Sequence, residues 1–385
     1  MRPSSKSVLL TVFIASIFSC LAAAQSASYV LTNDDTPSNS VTVFRAGLNQ
    51  SGVPQLTKVA KLPTTGAGHG GGYFAAVGIT VLDTQQQKCA FVADADSADV
   101  ASFNISTKAL VGKFKGSNLD NGGLKGMSLA MTDQYVYASY MGSYTMATYQ
   151  IQSGCKLHFL GDIDVVGQAF GAAAGLAING NMMVVAYSDS TIESFDISNG
   201  IPVSNGDRQL STGSQNGDVP SGVVITKDGH FAIFGDAGGA TTVEVSDISS
   251  GKLTPTLVYF LGNAISATVI RLSPDESMFY VSDVGSGQVT AAFFDKATGI
   301  PSQGCTSPVL RGFGDSWFYP ANLLTATGSG TGKVLFVAED GPTSGVGIVQ
   351  LKAGNGKCQL TESSTSPALD PNSQSLRFLA NYPPI

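Results

Sequence analysis

The sequence predicts an all-β protein, a single seven-bladed β-propeller of four-stranded antiparallel blades, its ring closed by the C-terminal strand pairing into the N-terminal blade. Three observations carry this. One phrase returns seven times: a short apolar-aromatic run, an acidic or small residue, a turn, and a second run. Its middle copies start at Ala90, Val136, Val184, Phe231 and Phe279, which sets a period of 46 to 48 residues. Finally, the first copy has no strand before it, while an unassigned apolar run follows the last. A period in the forties, with turn residues between β-patterned runs, belongs to propeller blades.

The runs themselves read as second (B) strands. They are Tyr29-Val30-Leu31-Thr32-Asn33-Asp34, Ala90-Phe91-Val92-Ala93-Asp94, Val136-Tyr137-Ala138-Ser139-Tyr140 and Val184-Val185-Ala186-Tyr187, then Phe231-Ala232-Ile233-Phe234-Gly235-Asp236, Phe279-Tyr280-Val281-Ser282-Asp283 and Leu335-Phe336-Val337-Ala338-Glu339-Asp340. Near-continuous apolar runs are expected where both faces of a sheet are covered by neighbours. The first and last steps, 61 and 56 residues, hold glycine-rich insertions.

Residues 266–311 show one whole blade. Ala267 to Leu272 is the inner (A) strand, Ser273-Pro274-Asp275-Glu276 its hairpin turn, with proline already at the right φ. Met278 to Asp283 is the B strand, Gln288 to Phe294 the third (C) strand, and Thr306 to Leu310 the outer (D) strand. The same reading covers Gly222 to Thr256 and Leu176 to Leu210, where Asn179-Gly180-Asn181 is a hairpin signal. The run Leu376-Arg377-Phe378-Leu379-Ala380 supplies the missing inner strand of blade one and leaves no open edge.

Residues 1–24 read as a signal peptide: Arg2 and Lys6 as a basic start, Val8 to Leu21 as an apolar core, Ala22-Ala23-Ala24 as the cleavage site. The mature chain, 25–385, is then one domain, secreted or periplasmic. Cys20 offers the alternative of a lipoprotein anchor. The apolar core is too short for a comfortable membrane span, and no second such stretch follows. A net charge of −7 and no basic run argue against nucleic acid. The expected working unit is a monomer. Four cysteines remain, Cys89, Cys155, Cys305 and Cys358, an even count that favours disulfides in an exported chain. Blade adjacency selects Cys89–Cys155 and Cys305–Cys358 among three connectivities.

Phrases such as Ser273-Pro274-Asp275-Glu276-Ser277-Met278-Phe279-Tyr280-Val281-Ser282-Asp283, and Tyr29-Val30-Leu31-Thr32-Asn33 followed by Ser40-Val41-Thr42-Val43-Phe44, resemble the repeats of lactonase-like, YVTN-type seven-bladed propellers. The resemblance spans the whole mature chain and its motifs specify hairpins. It implies the chemistry of phosphogluconolactone hydrolases or carboxymuconate cyclases, or a propeller with no reaction. The enzymes carry a Pro-Arg-His stretch before one inner strand. Here Val219-Pro220-Ser221-Gly222 keeps only the proline.

Function therefore divides between classes. As an enzyme, the chain hydrolyses or cyclises a small lactone at the top-face mouth of the channel, the face shared by B–C and D–A loops. As a non-catalytic module or scaffold, it binds a small lactone or sugar-like molecule, or a protein, there. His69 lies in Gly66-Ala67-Gly68-His69-Gly70-Gly71-Gly72-Tyr73, just before an inner strand, where a neutral imidazole serves as a general base. That loop's G-x-G-x-x-G pattern precedes a strand, so it lacks the context of a dinucleotide site. His158 reads as an outer-strand residue and His230 as a turn residue. Asp34, Asp94, Asp283 and Asp340, with Asp189 and Asp236, end B strands on the top face. They read either as turn openers or as an acidic rim holding a divalent cation such as Ca²⁺. Asp315, Trp317 and Tyr319, in the last inter-blade loop, read as a ring platform for a ligand or as a plug.

Overall fold

A computed structural model describes residues 28–69, 78–116, 126–169, 171–211, 219–237, 242–262, 267–283, 285–312, 320–326, 333–339, 345–369 and 378–382. Residues 1–24 with Cys20, the residues Asp315, Trp317, Tyr319 and Asp340, and Leu376-Arg377 lie outside them.

The described strands form seven antiparallel sheets of four strands, two of them with a short fifth. Inner strands touch one another in sequence, Ile79–Asp83, Met127–Met131, Ala173–Asn179, Val219–Ile225, Ala267–Leu272, Pro320–Ala326 and Phe378–Tyr382, the last returning to the first. The ring is closed. Its seam is blade one, where Phe378–Tyr382 pairs with Tyr29–Asn33, Tyr29 opposite Tyr382 and Asn33 opposite Phe378. The closing strand is described from Phe378 to Tyr382, and the ring of Tyr382 packs 6.2 Å from that of Tyr29.

The apolar runs follow from the packing. A strand sends successive side chains to opposite faces, and in a blade each face meets a different neighbour. Val30 joins the core between blades seven and one, with Phe336, Ile348 and Leu379. Leu31, next to it, joins the core between blades one and two, with Ile79, Val92 and Phe103. Phe279 and Tyr280 divide in the same way between the cores on either side of blade six. One B strand therefore feeds two cores and has no polar face.

The blade-six outer strand differs from expectation: it is Ile300–Thr306, not Thr306 to Leu310. The C–D connection is tight, with Gly299 N–H donating to the Asp295 carbonyl at 2.8 Å and Gly299 at φ +72°. Ile300-Pro301-Ser302-Gln303-Gly304 reads poorly as a strand, yet an edge strand tolerates proline. Gly304 sits at a register shift opposite Ala291–Phe293, so close that an added Cβ would lie 1.9 Å from the Ala291 oxygen.

Both expected disulfides are present, Cys89–Cys155 and Cys305–Cys358, each with Cα atoms 5.6 Å apart. They clamp blade two to three and six to seven. No helix among the described residues is long and apolar enough to cross a membrane.

Candidate functional site

The top face is built where blades one and two meet. Blade one contributes its B–C loop, Asp34 to Asn39, and the start of its first insertion, Thr64 to His69. Blade two contributes the hairpin from Asp94 to Asp99, which pair across the B and C strands. The insertion is pinned between them. Thr64 N–H donates to the Asn39 carbonyl at 2.9 Å, Gly68 N–H to the Thr36 carbonyl at 2.8 Å, and Asp96 N–H to the Ala67 carbonyl at 2.9 Å. Ala67 N–H donates to Ser97 Oγ at 2.9 Å.

The glycines explain themselves here. A Cβ on Gly66 would lie 2.1 Å from Asp94 Oδ2, and one on Gly68 would lie 2.5 Å from the Asp35 backbone. The Gly-x-Gly pattern lets the loop lie flat on two aspartates, and no phosphate is involved in the requirement.

This pinning places His69. Its N–H donates to Asp35 Oδ1 at 2.9 Å, and its ring Nδ1 lies 2.9 Å from Asp96 Oδ1. Both side chains are partly open to solvent. A carboxylate on Nδ1 fixes the ring's orientation and leaves the lone pair on Nε2. Asp96 was not anticipated from sequence: its partner is 27 residues away in another blade.

Asp94 sits beneath, fully buried. Its Oδ1 accepts from Asn39 Nδ2 at 2.7 Å and Thr64 Oγ1 at 2.8 Å. Burial pushes its carboxyl up to about 7, against the pull of those two bonds and with Asp99 adding to the rise. Lys113 lies 3.7 Å from Asp99 Oδ2 and donates to the Thr65 carbonyl at 2.9 Å, tying the insertion to the outer strand.

The other rim aspartates serve their own loops. Asp34 accepts from Thr32 Oγ1 (2.5 Å), Ser40 Oγ (2.6 Å) and Thr42 Oγ1 (3.0 Å), with Lys61 Nζ at 3.3 Å. Asp283 accepts from Gly285 N–H (3.1 Å) and Ser286 Oγ (2.5 Å). Asp236 accepts from Thr242 Oγ1 at 2.6 Å. Burial pushes Asp189 up, but bonds from Thr191 and from the amides of Ala169 and Gly171 outweigh it and hold the carboxyl below its usual range. These four and Asp94 lie in five blades. Among the described residues no three His, Cys, Asp or Glu side chains gather as a cation requires.

Blade seven adds a group the sequence did not single out. Glu339 is buried at the end of its B strand, one residue before Asp340, and burial, then the nearby Glu362, pushes it up to about 8. The backbones of Gly312 and Gly347 close over it. His158 is exposed on an outer strand, and His230 is exposed in an A–B turn with Nδ1 3.5 Å from Asp228.

No protein-family model matches the sequence, and neither does any curated protein. Solved structures do match. A candidate 6-phosphogluconolactonase of Bacteroides uniformis superposes with a TM-score of 0.68 at 15% identity, over 92% of this chain and 99% of that one. The periplasmic gluconolactonase of Pseudomonas aeruginosa gives 0.66 at 14%, over 92% and 99%. A second candidate 6-phosphogluconolactonase, from Bacteroides fragilis, gives 0.63 at 17%, over 93% and 98%. The chain shares its seven-bladed propeller fold with these structures. At these identities the likeness speaks for architecture, which is why function is argued from the site.

Proposed function

We propose that the protein is an exported lactone hydrolase working as a single copy at the top-face mouth between blades one and two, with His69 as general base. The observation that carries this is the 2.9 Å contact between His69 Nδ1 and Asp96 Oδ1, held by a loop pinned from both sides. Nε2 takes a proton from a water as that water's oxygen attacks the lactone carbonyl. The bond from the acyl carbon to the ring oxygen then breaks, and the imidazolium returns the proton to the departing alkoxide, leaving a hydroxy acid. Asp96 orients the ring and stabilises its charged form. Trp317 and Tyr319, with Asp315, are assigned on sequence grounds as the platform for the substrate ring. No step is routed through a cation. Export rests on the leader-like residues 1–24 and agrees with two disulfides.

The reading is tested with a panel of aldonolactones and aromatic-acid lactones, followed by acid release with and without Ca²⁺. Turnover that His69→Ala lowers by about 10²- to 10⁴-fold supports it. Turnover untouched by that change moves the site elsewhere. A second reading, a ligand- or protein-binding module using the same face, is favoured by Val219-Pro220-Ser221-Gly222, where the arginine and histidine of the related enzymes are replaced and Ser221 is buried. Binding of a lactone without acid release, abolished by Trp317→Ala, selects that reading.

A further inference from the structure

The tripeptide Asn-x-Ser, with no proline in the middle, occurs at Asn49-Gln50-Ser51 and at Asn104-Ile105-Ser106. In an exported chain this is the acceptor pattern for N-linked glycosylation, and it belongs on surface turns. Both copies fall at the same place in the fold, the C–D turns of blades one and two. Asn49 follows the C strand Ser40–Leu48 and precedes the D strand Pro54–Pro63. Asn104 ends the C strand Asp99–Asn104, opposite Ala109 on the D strand. C–D turns lie at the opposite end of the strands from the His69 loop.

The two asparagines are held alike. Asn49 Oδ1 accepts from the N–H groups of Ser51 and Val53, both at 2.9 Å. Asn104 Oδ1 accepts from Thr107 N–H at 3.1 Å. The carbonyl end of each side chain therefore faces its own turn. Among the described residues neither Nδ2 has a hydrogen-bond partner, and neither is sealed from solvent. Ser51 and Ser106 are exposed.

Other blades show what the turn itself requires. Blade four has Asp196-Ile197-Ser198, and blade five Asp247-Ile248-Ser249, where blade two has Asn104-Ile105-Ser106. Asp196 accepts from Ser198 N–H at 2.9 Å and Asp247 from Ser249 N–H at 2.8 Å. In blade six Asp295 accepts from Ala297 N–H at 3.0 Å. A side-chain oxygen is all that these turns use. The amide nitrogens of Asn49 and Asn104 take no part in the turn, and they are the atoms that glycosylation needs.

We propose that Asn49 and Asn104 carry N-linked glycans, both on the face opposite the His69 mouth. The step is a substitution at the anomeric carbon of the N-acetylglucosamine that heads a lipid-pyrophosphate-linked oligosaccharide. A bond forms from Nδ2 to that carbon, the bond from the carbon to the phosphate oxygen breaks, and lipid pyrophosphate leaves with the electron pair. Nδ2 gives up one proton to the transferase, a membrane-bound enzyme of the export route. The proposal rests on export of the chain and not on its lactone chemistry.

The test is secretion of the chain from yeast, once with its own residues 1–24 and once with a yeast leader in their place. Failed export is then read apart from failed glycosylation. Peptide-N-glycosidase F in heavy-oxygen water should convert both asparagines to labelled aspartate, read by peptide mass. Asn49→Asp and Asn104→Asp should each remove one step in gel mobility, and the double variant should run as the enzyme-treated chain does. Made in bacteria, without sugars, the same variants should melt as the wild type does, because aspartate already fills that place in blades four and five. In the secreted protein, no label at one position overturns the proposal for that turn, and no label at either overturns it whole. Secretion under the yeast leader alone overturns export and, with it, the glycans of the native chain. A lowered melting point in the bacterial variants overturns the argument from the turns.

Discussion

The two ends of one channel are built from different elements. At the top, between blades one and two, polar groups are dense: Asn39, Thr64, Asp94, Asp96, Asp99 and His69 are locked to one another through a glycine loop. At the bottom, a cavity on the axis mixes Arg271, Lys227, Glu276, Thr80 and Asn381 with apolar inner-strand residues. The difference teaches where each kind of site comes from in a repeat protein. B–C loops and insertions face the top, and they vary without disturbing the sheets. The bottom is made of short A–B hairpins and inner-strand residues.

The comparison breaks most completely if the ring is opened. Both ends depend on the inner strand Phe378–Tyr382, which pairs with Tyr29–Asn33 and lines that cavity through Leu379 and Ala380. Deleting residues 373–385 is expected to abolish cooperative thermal unfolding or soluble expression. An unchanged melting transition would show that neither end needs the closure. Next in size is Asp96→Asn, which keeps the shape but removes the charge on His69. Lactone turnover should fall about 10- to 100-fold, with a changed pH profile and an intact melting point.

A third change sharpens the electrostatic side of the contrast. The folded Asp94 carboxyl, at about 7, holds its proton more tightly than an unfolded aspartate at 3.8. Its contribution to stability is present at low pH and is lost as pH rises from about 4 to about 7. Asp94→Asn should flatten that decline, gaining up to about 4 kcal/mol at pH 8, a ceiling set by the size of the shift. Denaturant melts at pH 5 and pH 8 read it directly, and a variant no more stable than wild type at pH 8 would contradict the burial argument. The smallest expected effect is Cys305→Ser with Cys358→Ser. This should cost about 2–4 kcal/mol of stability without altering turnover, because that clamp lies away from both ends of the channel.

Much of the architecture was legible because repetition reports on itself. Seven B strands, both disulfides and the closing strand all follow from blade spacing and from what lies at each end. The outer strand of blade six was missed for a physical reason: Pro301 and Gly304 disguise an edge strand that a bulge at Ala291–Phe293 accommodates. The site was less legible. His69 was found because its loop lengthens a regular step, but Asp96 belongs to the next blade and reaches His69 only through the fold. The rim aspartates were visible, while their occupation was not. In retrospect Asp34 with Ser40 and Asp236 with Thr242 share a spacing of six residues, a hydroxyl on the C strand answering a carboxylate on the B strand. Arg271 was read as part of a strand, since nothing in a linear pattern says which side of an inner strand faces an axis.

The seam at blade one has a consequence for connectivity. Tyr29 and Tyr382 are paired neighbours, so the described chain begins and ends within a single sheet. The circle is interrupted at one place only, and that place is not dictated by the packing of the other blades. A rearranged gene that joins the present ends through a short glycine-serine linker and starts instead within the exposed turn at Lys227-Asp228-Gly229 would encode the same seven sheets in the same spatial order. In that permuted chain blade five would carry the splice and blade one would become continuous.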